Sequence, residues 1–454
     1  MAMTRGVRWA TVLVAAALLA GCGGSDPSAG PGGSTTTTVD PHGRGWIDGA
    51  PDWSGGAGDG GARGSDAATA EMAPSTVAAD REVASPERPT DGPGLRAGSV
   101  DDNEDLDGYL TYLDRLRSLG VELRDVDPTG RVVVSIVGSD GRPVAGVTVT
   151  VRQGGGDLAE LRSMADGTVR VLPTLHGGSA TEPVEVAVDD VAATADPGTA
   201  VTLELDQPGG VEGAVPVDVL FLLDATGSMG DEIDQLKASI DSVSERIDAL
   251  ESNPDVRFAM TLYRDEGDAF VTSTYDFTSD VPAFRTALAE VQAGGGGDYP
   301  EAMEEGLAEA LAKPAWRDPS TAVQLAFLVA DAPPHVDRDV PVTYVDSIRD
   351  AVSRGIKVIP VASSESDDQA EGVFRQVAQA TGARFVFLSY GAGGAATGDS
   401  TDIASTDYEE LSLDDLVVRM VTEELDHLGD GSGGGTTTTT TPPETTTTTN
   451  PPGQ

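Results

Sequence analysis

Three short stretches place oxygen-bearing side chains directly behind apolar runs or glycines. In "LFLLDATGSM" the residues Leu220 to Leu223 run straight into Asp224, Thr226 and Ser228. In "AGGGGDYPE" Asp298 follows a glycine run at the entrance to a helical pattern, and in "LAFLVADAPPH" Asp331 ends another apolar run. Carboxylates and hydroxyls are hard donors, and loops built from them favour magnesium or manganese. No second histidine or cysteine lies near enough in sequence to His335 to support zinc. His335 is therefore expected at the rim of the "DAPPH" turn, with a direct role as base or ligand the lesser alternative. "YRDEGD" (Tyr263 to Asp268) is a further polar strand end. It either helps shape specificity or is a solvated loop containing an Arg–Asp pair.

The elements that must position these residues are legible on either side of them. Within "VDVLFLLD" the run from Val219 to Leu223 is continuously apolar, as a strand buried on both faces requires. Behind it, Ile233, Leu236, Ile240, Val243, Ile247 and Leu250 recur at helical spacing. The strands "VRFAMTLYRD", "FVTSTYDF", "AVQLAFLVAD", "KVIPVAS" and "ARFVFLS" follow, with helical patterns among them and a last helix near Leu411–Leu428. Such alternation predicts an α/β fold, an open and mostly parallel sheet with helices on both faces. In sheets of this kind ligands bind beyond the carboxyl ends of the strands, where the three oxygen-bearing loops fall.

All three loops, in this order and within this βα pattern, resemble the von Willebrand factor A (VWA) domain and its metal-ion-dependent adhesion site, over Pro216 to Leu428. The resemblance implies that Thr226 and Ser228 coordinate the ion directly, with Asp224 and Asp331 acting mainly through bound water. It implies magnesium or manganese as the cofactor and a protein partner that presents an acidic residue. Neutral hydroxyls leave the ion under-compensated, so it still attracts a carboxylate from outside. The second loop departs from the family, because Tyr299 stands where a threonine commonly follows the aspartate. Asp298 is then the better candidate ligand, and coordination by it would weaken the pull on a partner. Two alternatives stay open: an adaptor subunit of an envelope complex using the same domain, or a VWA scaffold whose site no longer holds metal.

The remainder of the chain sets the setting. Residues 129–210 change to a period of two, with "RVVVSIV", "GVTVTVR", "TVRVLP", "VEVAVDD" and "AVTLEL" predicting a small all-β sandwich. "DGRPVAGVTVTV" and "ADGTVRVLP" resemble the transthyretin-like, or carboxypeptidase regulatory-like, domains. Some of those relatives are stapled by a Lys–Asn isopeptide bond. Here the three lysines are Lys237, Lys313 and Lys357, so none lies in the span and that staple is excluded. A rigid spacer is expected. Residues 99–128 carry Leu106, Leu110 and Leu113 at helical spacing, with Asp101 to Asn103 offering a cap and Gly120 a stop. This is expected to be a docking helix; its acidic cluster lacks the ligand spacing and central glycine of a calcium loop.

Residues 1–21 read as a signal peptide: Arg5 and Arg8 precede an apolar run too short to span a bilayer. The run ends in Leu19-Ala20-Gly21-Cys22, which resembles the lipobox of bacterial lipoproteins and implies a lipidated Cys22. Ordinary secretion with an incidental cysteine is the alternative. Cys22 is the chain's only cysteine, so an intramolecular disulfide is impossible. Residues 22–98 are expected to be a disordered tether, on the order of 45–50 Å end to end as a random coil. Residues 429–454 form a Thr/Pro-rich tail, glycosylated or simply solubilising. The VWA domain is thus expected over 215–428, on a protein anchored by lipid at the extracytoplasmic face of the cell membrane. The formal net charge of −46 argues against nucleic acid as a partner. An enzyme is not expected. The histidines are His42, His176, His335 and His427, no Ser–His–Asp arrangement is legible, and no phosphate loop occurs.

Overall fold

A computed structural model describes residues 96–428 apart from 212, 251, 298, 364–365 and 390–410. The expected signal peptide with Cys22, most of the tether and the Thr/Pro-rich tail lie outside the described residues.

The central strand is β9 (Pro216–Asp224), in which every residue from 217 onward is buried: Val219 to Leu223 form an apolar run, and Asp218 before it is paired with Arg257 and Arg317. It is flanked in parallel by β10 (Asp255–Tyr263) and β12 (Val323–Ala330), with Tyr263 opposite Asp224 and Val329 opposite Leu223. Beyond β12 lie β13 (Lys357–Ala362) and β14 (Phe385–Ser389), also parallel. Three antiparallel pairings close the two sides: β11 (Thr272–Thr278) with β10, β1 (Arg96–Val100) with β14, and β15 (Leu411–Ser412) with β1, so that β15 again runs with the central strands. The resulting order is β11-β10-β9-β12-β13-β14-β1-β15. One face is covered by α2 (Gly230–Asp248), α3 (Val281–Ala289) and α7 (Leu413–Leu428). The other carries α4 (Met303–Ala312), α5 (Tyr344–Arg354) and α6 (Asp368–Ala380). This is the α/β sheet with helices on both faces that the alternation predicted.

The first described strand corrects the expected end of the tether at residue 98, since β1 begins at Arg96. Its sequence, "RAGSV", carries no apolar alternation; it is a strand because β14 and β15 offer it a ladder on both sides. Helix α1 (Leu106–Leu119) follows, stopped by Gly120 in the left-handed region as expected. Its cap is Asp105, which accepts from Gly108 N, and not one of residues 101–103. Those acidic residues are used otherwise. Asp102 is buried and takes a two-pronged ion pair from Arg375 of α6, at 2.6 and 2.9 Å. Arg124, beyond the helix, grips Glu304 of α4 the same way, at 2.7 and 2.9 Å. The docking helix is thus held by charge as well as by the apolar side of α1.

The sandwich pairs a three-stranded sheet with a four-stranded one. The first is β5 (Thr168–Val171), β2 (Val132–Val137) and β8 (Ala200–Glu204). The second is β4 (Gly156–Arg162), β3 (Thr148–Gln153), β6 (Val184–Val188) and β7 (Val191–Ala195). Alternate residues such as Val132, Val134 and Ile136 point into one shared core. Strands β4 and β7 escaped the period-two reading; each is an edge strand with one fully buried apolar residue, Leu161 and Ala195.

The sandwich sits against the amino ends of the parallel strands. Gly146 is pressed on the backbone just before β12, where an added Cβ would come within 2.1 Å of Ser320 Cα. Lys357, the first residue of β13, is buried between Asp166 of the sandwich at 3.1 Å and Glu424 of α7 at 2.5 Å. Asp224, at the carboxyl end of β9, lies at the opposite end of the sheet.

Candidate metal centre

The first loop is folded by its own side chains. Asp224 is 0% exposed, and its Oδ1 accepts from Thr226 N at 2.9 Å and Thr226 Oγ1 at 2.7 Å. The Thr226 hydroxyl lies 3.3 Å from that of Ser228. A short 3₁₀ turn, Gly227–Met229, then feeds α2. Aspartate and threonine suit this turn because both can bond the backbone a residue or two on.

The glycine run forms the second wall. Gly294 N donates to Ala225 O, and Gly227 N to Gly295 O. Gly295 and Gly296 adopt left-handed φ values of 84° and 72°. At Gly296 a Cβ would also stand 2.6 Å from Glu301 Oε1 and 3.2 Å from Thr226 Cβ, so there is no room for a side chain. Asp298 itself lies outside the described residues. Tyr299 is nearly half exposed, and its phenol spans loops: it donates to Asp331 O at 3.4 Å and accepts from Asp367 N at 3.3 Å. Asp367 in turn caps α6.

Asp331, at the end of β12, is buried near Asp224, and the electrostatics show how the two interact. Burial, then the Asp331 charge, pushes Asp224 up to about 7 against the pull of Thr226. Asp224 Oδ2 has no hydrogen-bond partner. The fully buried Tyr263 phenol acts on the same carboxylate, yet its oxygen also makes no hydrogen bond of ordinary geometry. A buried carboxylate oxygen left without a donor is costly unless a cation takes it.

Two expectations about the surroundings are corrected. His335 is not a rim residue: it is 6% exposed, with Nε2 3.0 Å from Asp265 Oδ1. "YRDEGD" is not solvated throughout: Glu266 and Gly267 are exposed, but Arg264 and Asp265 are buried. Arg264 donates to the carbonyls of Ala225 at 3.1 Å and Gln292 at 2.9 Å, clamping the first loop to the approach of the glycine run. Asp268 accepts from Gly296 N at 2.8 Å. The segment is a brace behind the site.

The sequence reading missed Glu301. It is 4% exposed, directly beside Gly296 and Thr226, and its Oε2 has no partner. Burial, then Asp224, Asp265, Asp331 and Asp268, pushes its carboxyl up to about 8. The one sign in the sequence is its position three residues beyond Asp298, at the entrance to a helix.

Among the described residues no group of three or more histidine, cysteine or carboxylate side chains is arranged as a metal cage. The donor set here is different: two adjacent hydroxyls and a carboxylate oxygen with nothing to bond. Such donors fit a small hard cation. Thr226 and Ser228 would hold it, with Asp224 and Asp331 supplying charge, and the ion would supply an electrophilic point for an incoming oxygen.

Residues 218–395 match the family model of the von Willebrand factor A domain. Among curated proteins, the alpha-protein kinase vwkA of Dictyostelium discoideum is 36% identical over 120 residues, covering 26% of this chain and 19% of the relative. A putative ariadne-like RING finger protein of Acanthamoeba polyphaga mimivirus is 30% identical over 119 residues, covering 26% and 11%. The chain thus spans under a fifth of the length of these relatives. Among solved structures, conserved hypothetical protein BatB from Bacteroides thetaiotaomicron is similar at 13% identity and a TM-score of 0.31, covering 46% of this chain and 98% of that one. Pilus adhesin SpaC from Lactobacillus rhamnosus GG is similar at 9% and 0.32, covering 54% and 33%. Proximal thread matrix protein 1 from the mussel byssus, with a zinc-occupied MIDAS motif, is similar at 14% and 0.29, covering 37% and 39%. By its strand order and the match over residues 218–395, the chain carries a von Willebrand factor A domain.

Proposed function

We propose that this protein is a binding protein and not an enzyme, and that its VWA domain engages a protein partner through a divalent ion, magnesium or manganese. The observation that carries the reading is the Asp224 carboxylate. It is fully buried, with Oδ1 bonded to Thr226, Oδ2 bonded to nothing, and the hydroxyls of Thr226 and Ser228 3.3 Å apart beside it. An ion held there lets an acidic chain capture an acidic group. In this reading Asp298 belongs to the same ligand set, and the partner offers a carboxylate. The lipobox-like Leu19-Ala20-Gly21-Cys22 supports a lipid anchor at Cys22 and an extracytoplasmic position. The test is capture of envelope proteins by the immobilised chain, with magnesium or with chelator. Partners retained with magnesium and lost both with chelator and with Asp224→Ala support the reading; an identical set in all three samples contradicts it.

A further inference from the structure

We infer that Glu301 donates a carboxylate oxygen to the same ion, so that the chain itself supplies a charged ligand from the entrance of α4. This inference rests on the metal-binding reading above and deepens it.

The geometry comes first. Glu301 N donates to Pro333 O at 3.1 Å, which ties the residue to the loop that follows β12. Its side chain turns back toward Thr226 across Gly296, and the absence of a Cβ there lets Glu301 Oε1 approach. The other oxygen, Oε2, is buried and has no hydrogen-bond partner. Buried carboxylate oxygens without a partner thus belong both to Asp224, which is bonded to Thr226, and to Glu301, whose other oxygen lies over Gly296 beside the Thr226 side chain.

Charge makes the same point. The groups that act on Glu301 are Asp224, Asp265, Asp331 and Asp268, all acidic. The basic groups nearby are committed elsewhere. Arg264 is spent on the carbonyls of Ala225 and Gln292, His335 on Asp265, and Arg338 reaches toward Asp265 and Glu266. A cation held at the Thr226 loop gives the unpartnered Glu301 oxygen the partner that no described side chain supplies. The consequence for function is a trade: a charged internal ligand tightens the hold on the ion and weakens its pull on an external carboxylate.

The test uses full-length protein stripped with chelator and titrated with manganese alone, comparing wild type with Glu301→Gln by calorimetry and by thermal shift. Glu301→Gln keeps the shape, and a metal-free melting temperature at or above that of the wild type reports an intact fold. The inference expects manganese affinity to fall at least tenfold in the variant. Equal affinity in the two proteins overturns it and makes Glu301 a buried protonated acid, with the metal site itself intact. A wild type that binds no manganese overturns the metal-binding reading and this inference together. A second measurement needs no variant. In protein labelled with carboxyl-¹³C glutamate, the spectrum of bound manganese is expected to show a carbon hyperfine coupling, and its absence overturns the inference.

Discussion

Thr226 does two jobs in one loop: its hydroxyl donates to Asp224 Oδ1 at 2.7 Å and stands 3.3 Å from Ser228 Oγ. Thr226→Val keeps the volume and the backbone N–H bond but removes that oxygen. It is expected to lower metal-free stability by about 1 kcal/mol and to abolish most of the magnesium-dependent rise in melting temperature. His335→Ala separates support from ligation. It leaves Asp265 without its imidazole partner and is expected to cost roughly 1–3 kcal/mol. Magnesium affinity should change little, as measured by calorimetry on the folded variant. Gly296→Ala forces a side chain into a φ of 72° and against Glu301. A strain of about 1–3 kcal/mol is expected from the backbone alone. These roles differ in how visible they were in sequence. Asp224, Thr226 and Ser228 stood out because donors directly after an apolar strand have few structural reasons to be there. Glu301 and the His335–Asp265 pair did not, because their partners arrive from distant loops and single carboxylates at helix entrances are common.

Elements were legible in proportion to how completely they are buried. β9 and β12 are apolar but for Asp218 and Asp224 in the one and Gln324 in the other because both faces meet helices, and α2 shows a clean apolar stripe because one side meets the sheet. β1 was illegible, since a strand of small and polar residues held only by its neighbours' ladders leaves no pattern. The clamp that follows it is a better target. Asp102→Ala removes the two-pronged partner of the buried Arg375 guanidinium and leaves it Glu371 at 3.1 Å, and the expected cost is roughly 1–3 kcal/mol. Limited proteolysis should then cut between 101 and 124 faster than in the wild type. The contact between sandwich and sheet has a pH signature. Burial alone would raise the Asp166 carboxyl, but Lys357 and Arg170 outweigh it and hold it well below its ordinary 3.8. A depressed folded value means that the stabilisation is fully present above the ordinary value and is lost as the pH falls below it. Melting temperature measured from pH 5 down to pH 3 should therefore drop more steeply for the wild type than for Asp166→Asn.

The sandwich covers the amino ends of the parallel strands and the oxygen-bearing loops crown the carboxyl ends, so the sandwich does not obstruct the site. A net charge of −46 disfavours acidic partners everywhere except where a cation intervenes. This makes the ion the centre of the account. If Cys22 carries lipid, Cys22→Ala should move the protein from the membrane to the soluble fraction, with no change in the melting behaviour of the folded part. The most direct measurement is the melting temperature of chelated full-length protein at rising magnesium, for the wild type and for Asp224→Ala. A wild-type rise that follows RT ln(1 + [Mg²⁺]/Kd) and a flat line for Asp224→Ala are expected. A flat wild type, or a variant that rises with it, would contradict the claim that these loops hold a divalent ion.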